Sequence, residues 1–223
     1  MRRGILFVLS GASGVGKGTV LRSVLLEDEN LYFSVSWTTR GQRKGEEDAK
    51  DYHFVTREEF EREMKGIGFL EHAEFVGNLY GTPRRAVEKK LEAGVDVILD
   101  VERIGALNVK TLVPEAVLIQ LVPPNLSKLR QRLLKRGTDA IDVIGKRLIR
   151  AQEDMNFYRE FDYVIVNDDL PTAISDLQSV LRAERLRSQR INPDDFQLHS
   201  SREPKLETEL DRLELEIRRS GAD

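Results

Sequence analysis

The sequence predicts an α/β chain, a parallel sheet flanked by helices, with a smaller inserted subdomain. Three observations carry this expectation. A short apolar run, GILFVL (4–9), leads straight into the glycines of LSGASGVGKGTVL (9–21) and then into a helical pattern. Three later apolar runs, VDVILDV (95–101), EAVLIQLV (115–122) and DYVIV (162–166), alternate with helix-period segments. Repeated strand and helix is the pattern of a parallel sheet, because parallel neighbours need crossover connections. The third observation is a change of texture between about Ser34 and Thr82, which is rich in charge and punctuated by glycine.

Taken in order, GILFVL is continuous rather than alternating, as expected of a strand buried on both faces. The helix after the loop should begin near Gly16 and turn Val20, Leu21, Val24 and Leu25 inward. Within the insertion, YHFV (52–55) and LEHAEFV (70–76) read as short half-buried strands. Between them Thr56-Arg-Glu-Glu59 is a capping box that opens a helix. PRRAVEKKLEAG (83–94) reads as a helix with Thr82 as N-cap, Pro83 at the first helical position and Gly94 after the end. LKRGTDAIDVIGKRLIR (134–150) reads as a second, basic insertion interrupted by glycine. After a linker-like stretch, Leu206, Leu210, Leu213 and Ile217 follow coiled-coil spacing. Two heptads are marginal alone, so this helix packs on the body, pairs with a second copy, or frays.

The 223 residues, 40% hydrophobic and 33% charged, suffice for one core with subdomains. A net charge of −3 gives no bulk electrostatic reason to expect nucleic acid. There is no cysteine, hence no disulfide or thiolate metal site, and the N-terminal apolar run is read as a strand rather than a leader. The expectation is a cytoplasmic protein with no membrane partner.

Gly11, Ala12, Ser13, Gly14, Val15, Gly16, Lys17, Gly18 and Thr19 have the spacing of a phosphate-cradling loop. Its glycines let the backbone approach a polyphosphate, its amides and the helix N-terminus point at the anion, and Lys17 neutralises charge. Gly18 stands where that pattern usually has Ser or Thr. The insertion is more specific. SVSWTTRGQRKGEEDAKDYHFV (34–55) and FLEHAEFVGNLYGT (69–82) interleave hydroxyls, two arginines, tyrosines and one carboxylate. That mixture suits a small anion carrying a hydrogen-bonding ring.

At these residues the chain resembles the guanylate kinases, from about Gly4 to Arg190. The resemblance implies a P-loop NTPase-type core (1–33 and 83–190), a GMP-binding subdomain (about 34–82) and a lid (about 134–150), followed by a linker and amphipathic helix (191–223). It implies phosphoryl transfer from ATP to GMP, giving ADP and GDP and serving purine nucleotide metabolism. Arg40, Arg43, Tyr52 and Tyr80 would hold the GMP phosphate, and Ser36, Glu71 and Thr82 would meet guanine. Asp100 would lie near the phosphates and Mg²⁺, Glu102 near guanine. Arg136 and Arg147, with Lys135 beside them, would bring lid charges to the transferring group. Asn167 and Asp168 would form the adenine side. GKGT in place of GKST also occurs in nucleoside monophosphate kinases, where Mg²⁺ is held largely by phosphate oxygens and water.

The physics of base choice stands independently. Guanine presents N1–H and a 2-amino group side by side, matching the two oxygens of an ionised carboxylate, whereas adenine has an acceptor at N1. The local pattern alone leaves Glu71 open to a second reading, as an exposed charge on a half-buried strand. The three histidines need no catalytic role, because the acceptor phosphate is already largely ionised at neutral pH. Two positions depart from the family: Ile104, where Gln is expected, and Ala49, where Gly is expected. If the backbone there has positive φ, Ala costs ~1 kcal/mol. Asp139, Ile141 and Gly145 depart from the more acidic lid sequences expected of the family. The rival readings are a guanylate-kinase-like binding module, a kinase for another monophosphate, and a nucleic-acid NTPase.

Overall fold

The computed structural model describes residues 2–43, 45–75, 77–136, 141–191 and 212–217. In chain order the elements are β1 (Leu6–Ser10), α1 (Lys17–Glu27), β2 (Leu31–Phe33), β3 (Trp37–Thr38), β4 (His53–Phe54), α2 (Arg57–Lys65), β5 (Phe69–Phe75), β6 (Asn78–Pro83), α3 (Arg84–Glu92), β7 (Asp96–Asp100), α4 (Arg103–Leu112), β8 (Val117–Val122), α5 (Leu126–Arg136), α6 (Ile141–Asn156), β9 (Tyr163–Val166) and α7 (Leu170–Arg185). Single 3₁₀ turns cover Tyr158–Glu160 and Ser188–Arg190.

The main sheet is parallel throughout, in the order β2-β7-β1-β8-β9. Its central strands β1 and β8 are buried along their whole length, which is why they read as unbroken apolar runs. One face packs Phe7, Leu9, Ile119 and Ile165 against Val20, Leu21 and Val24 of α1 and Leu177 and Leu181 of α7. The other packs Leu6, Val8, Leu99 and Leu118 against Val87, Leu91, Ala106 and Val109 of α3 and α4. A third, smaller cluster joins Leu129 and Leu133 of α5 to Ile144 and Ala151 of α6, with Ala12 of the glycine loop inserted into it.

Residues 37–83 form a separate four-stranded sheet, β4-β3-β6-β5, with α2 over it. The capping box of α2 is present in both directions: Thr56 accepts from the Glu59 amide, and the Glu59 carboxylate accepts from the Thr56 amide at 2.8 Å. Phe60 of α2 stacks on Phe69, with ring centroids 4.4 Å apart.

Several details differ from expectation. β2, β3 and β6 are strands that the apolar pattern did not single out; β2 and β3 are only three and two residues long. Pro83 is the N-cap of α3 rather than its first helical residue, and Thr82 is not the cap: β6 runs on through Pro83, and the Thr82 hydroxyl is engaged with Glu71. Gly94, with φ +80°, follows the end of α3 as expected. Gly145 does not interrupt the basic segment, since α6 runs through it. Ala49 does have positive φ, 61°, alone among the described non-glycine residues. Residues 137–140 of the expected lid, and Leu206 and Leu210 of the expected C-terminal heptads, lie outside the described residues; 212–217 is helical, with Leu213 and Ile217 exposed. No described helix is long and apolar enough to cross a membrane.

Candidate active site

β1, β7, β8 and β9 all run in one direction, so their C-terminal ends form one rim, where open parallel sheets place ligands. The glycine loop rises from the end of β1 and enters α1 at Gly16, whose φ of +105° only glycine adopts without strain. A β-carbon on Gly16 would also sit 2.5 Å from Asn167 Nδ2. The loop is anchored by buried Ala12 and Val15. The Val15 carbonyl accepts from Asn167 Nδ2 at 2.7 Å and from Arg132 at 3.2 Å, while Arg132 also donates to the Asn167 carbonyl at 2.8 Å. Asn167 is therefore a buried brace behind the loop. Asp168 is exposed and lies 3.8 Å from Lys128. Gly11 and Gly14 also have positive φ, and Ser13, Gly18 and Thr19 are exposed on the loop and first helical turn. No side chain caps α1, so its first-turn amides and positive dipole end face the loop's concavity.

Lys17 Nζ donates to the Gly11 carbonyl at 2.5 Å and lies 3.6 Å from Asp100 at the end of β7. Burial pushes the Asp100 carboxyl above its ordinary range, and the Lys17 charge opposes that shift. Arg147 of α6 donates to the Ser13 hydroxyl at 3.3 Å, bringing a second cation to the loop. Arg136 is the last residue of α5, and its side chain lies outside the described positions.

Across the cleft, the second sheet supplies a cluster of donors. Arg40, just after β3, is held by both oxygens of Glu46, at 3.0 and 2.8 Å, and by the Gly41 carbonyl at 2.7 Å. Its guanidinium stands 5.3 Å from the Tyr52 ring centre, and Tyr52 meets Tyr80 edge-on at 5.9 Å. Burial, followed by the negative charge of Asp100, pushes the Tyr52 hydroxyl up to about 12, so it is a neutral donor at physiological pH. Glu46 also accepts from the Arg43 amide at 2.8 Å, and the Arg43 side chain is exposed. Burial raises the Glu46 carboxyl, but bonds from Arg40 and Arg43 outweigh it and hold the group below its usual range.

The third part is a buried carboxylate. The β5–β6 register shifts between Phe69 and Glu71, so Glu71 comes to lie directly opposite Thr82. The Thr82 hydroxyl, fully buried, donates to Glu71 Oε1 at 2.8 Å. Glu71 is 8% exposed, which excludes its reading as a solvated surface charge. Burial pushes its carboxyl above the ordinary range, and the Thr82 bond only partly opposes this. Ser36 is half-buried, immediately before β3. Glu102 opens α4 but is exposed and paired with Arg150 at 2.6 Å. Ile104 is 54% exposed in the first turn of that helix. His53 and His72 touch none of these groups through a side-chain bond in the described set, and His199 lies outside it.

Glu46, Arg132 and Gly105, which approaches Glu71 from α4, were not singled out from sequence. Glu46 stands in the signature itself, so its spacing to Arg40 was a readable signal; Arg132 looks like any cation on a basic helix face.

Known proteins resemble the chain over most of its length. A family model described as guanylate kinase matches residues 3–184. A guanylate kinase of Thermus thermophilus is 51% identical over 211 residues, covering 95% of each chain. One from Lactiplantibacillus plantarum is 45% identical over 194 residues, covering 86% of this chain and 94% of the relative. The crystal structure of guanylate kinase from Anaplasma phagocytophilum superposes with a TM-score of 0.74 at 34% identity, covering 90% and 96% of the two chains. With a family model matched over most of its length and a relative half identical across nearly the whole of both chains, this chain belongs to the guanylate kinase family.

Proposed function

We propose that this chain transfers the terminal phosphoryl group of ATP reversibly to GMP, giving ADP and GDP. The observation that carries the choice of GMP is Glu71: a carboxylate fixed by Thr82 in a buried pocket beside the Arg40, Tyr52 and Tyr80 donors. A ligand that fills both places is an anion joined to a ring with two adjacent N–H donors, which is guanine rather than adenine.

The roles follow from position. The loop amides of Gly11 to Thr19, the start of α1 and Lys17 take the donor's phosphates, with Arg132 and Asn167 bracing the loop. Asn167 and Asp168 border the adenine side. Arg40, Arg43, Tyr52 and Tyr80 take the acceptor phosphate, while Glu71, Thr82 and Ser36 read the base and Glu102 borders it. An oxygen of the GMP phosphate forms the new bond to the terminal phosphorus as the bond to the bridging oxygen of ATP breaks, leaving that charge on ADP. The attacking oxygen is largely ionised near neutral pH, since its second pKa is about 6, so no base is needed. The chain contributes positioning and charge, through Lys17, Arg40, Arg43, Arg147 and Arg136. Segments 34–82 and 134–150 act as a GMP-binding subdomain and a lid that close on the core and exclude water.

Kinases of this family use a divalent metal with ATP. We assign Mg²⁺. Among the described residues no three carboxylates or histidines converge, and the donor set at the cleft is the single carboxylate of Asp100 beside Lys17. That suits an ion that keeps most of its water and binds through substrate phosphates. When bound, it neutralises charge on the transferred group.

The test is ADP release by purified protein with ATP and Mg²⁺, with GMP, AMP, CMP or UMP in separate reactions. Release that requires GMP is expected. Release with AMP as fast as with GMP, or none with any monophosphate from folded protein, would overturn the reading.

A further inference from the structure

Gly105 is buried in the first turn of α4, and its backbone is not in the positive-φ region that favours glycine. Glycine is the poorest ordinary helix former, so neither helix propensity nor backbone geometry explains it. Its surroundings do. A β-carbon at Gly105 would lie 3.0 Å from Glu71 Oε2 and 3.5 Å from Glu71 Cδ, with Val101 Cβ the other near atom at 3.4 Å. The tight neighbour is thus the buried carboxylate itself. Thr82 holds one oxygen of Glu71 by a hydrogen bond, and the bare face of α4 at Gly105 sits against the other.

We propose that Gly105 is a positioning residue that determines base specificity: by lacking a side chain it lets α4 close on Glu71 and fixes the orientation of the two-oxygen edge. This rests on the assignment of Glu71 to guanine. A carboxylate held at one oxygen can still swing about its last side-chain bond; held between Thr82 and α4, it cannot. Adding one methyl group at Gly105 forces Glu71 Oε2 to give by a few tenths of an ångström, while Thr82 keeps its hold on Oε1. One of the two bonds to guanine then lengthens while the other survives.

The test is Gly105→Ala in the full chain, with kcat and KM measured for GMP and for IMP, whose base keeps N1–H but lacks the 2-amino group. The unaltered protein should prefer GMP strongly. In the variant, KM for GMP should rise about tenfold, kcat should stay within about threefold, and KM for ATP should not move. The GMP-to-IMP preference should change by about threefold or more, shrinking where Oε2 is the partner of the 2-amino group and growing where it is the partner of N1–H. The thermal midpoint should change little, since the better helix propensity of Ala offsets the cost of displacing Glu71. Glu71→Asp retracts the carboxylate by one methylene, so the double variant G105A/E71D should be less impaired than the product of the two single effects. A GMP KM within twofold of the unaltered protein, an unchanged preference for GMP over IMP, or strictly multiplicative effects in the double variant would overturn the proposal. A lowered midpoint with unchanged preference would assign Gly105 to packing alone. If the unaltered protein itself fails to prefer GMP over IMP, the guanine reading of Glu71 falls, and this proposal with it; if only the variant's behaviour is wrong, the proposal alone falls.

Discussion

The hydroxyl of Thr82 donates to Glu71 Oε1 at 2.8 Å across a directly paired position of β5 and β6. A buried carboxylate with one neutral hydrogen bond is underpaired, and burial accordingly pushes its carboxyl above the usual range. Such a group costs stability at neutral pH and is kept for what it binds.

Glu71→Gln should separate these two effects. The amide keeps the shape but replaces one acceptor by a donor that faces a guanine donor. KM for GMP should rise at least tenfold, a loss of about 1.4 kcal/mol. Stability should move the other way. A carboxyl whose folded pKa is raised favours folding below its unfolded value of about 4.3, and that contribution is lost as pH rises through the folded value. At pH 7 the glutamine variant escapes the burial of charge, so its thermal midpoint should equal or exceed that of the unaltered chain. Steady-state kinetics and thermal melts on one preparation check both signs, and unchanged GMP kinetics would sink the assignment.

Ala49→Gly addresses the strained turn before Tyr52. The Ala49 amide donates to the Tyr52 carbonyl at 2.8 Å, so the turn's φ of 61° is fixed by the fold rather than chosen by the residue. Relief of the β-carbon clash should exceed the extra freedom glycine gains when unfolded, for a net gain of about 0.5 kcal/mol. Urea titration at constant m-value measures it. A loss of stability would show that Ala49 is not strained.

How much of this was legible in the sequence depended on where each residue finds its partner. β1, β7 and β8 were readable because burial on both faces demands unbroken apolar runs; β9, an edge strand with Val164 and Val166 exposed, was readable only because its residues are apolar throughout. The two residues of β3 give no periodicity, and they exist through pairing with β4 and β6. The glycine loop was readable because its conformation is local. Arg132 was not, since it braces Val15 from 117 residues away. Thr82 looked like a helix cap because Ser and Thr before Pro usually are; the bulge near Glu71 drew its hydroxyl across the sheet instead.

Glu46→Gln should show whether Arg40 arrives oriented. Glu46 grips two nitrogens of the guanidinium and the Arg43 amide, which leaves Arg40 little rotational freedom before a phosphate binds. With one acceptor gone, kcat/KM for GMP should fall about tenfold, mainly through KM, with KM for ATP unchanged. A rise in GMP affinity would mean that Glu46 competes with the phosphate instead of orienting its receptor.

Asp96 provides a control remote from the chemistry. Its side chain is fully buried at the start of β7, where it accepts from Arg2 at 2.8 and 3.0 Å, from the Ile5 amide at 2.8 Å and from Arg185 at 2.7 Å. Burial alone would raise its carboxyl; these donors outweigh burial and hold it below the usual range. A depressed folded pKa gives stability that is complete above the unfolded value of about 3.9 and drains away as pH falls through the folded one. Asp96→Asn leaves Arg2 without its charge partner and Arg185 with Asp28 alone, and should cost about 3 kcal/mol at pH 7. The cost should shrink as pH falls below 4, where the unaltered chain begins to lose the same interaction. Arg185 of α7 keeps its pair with Asp28 at 2.7 Å, so the loss should loosen the tie between β7 and α7 without freeing the helix end, while GMP kinetics at saturating substrate stay unchanged. Denaturant titrations of both proteins from pH 3 to pH 8 test this; parallel stability curves over that range would mean that the Asp96 carboxylate is not what ties β7 to α7.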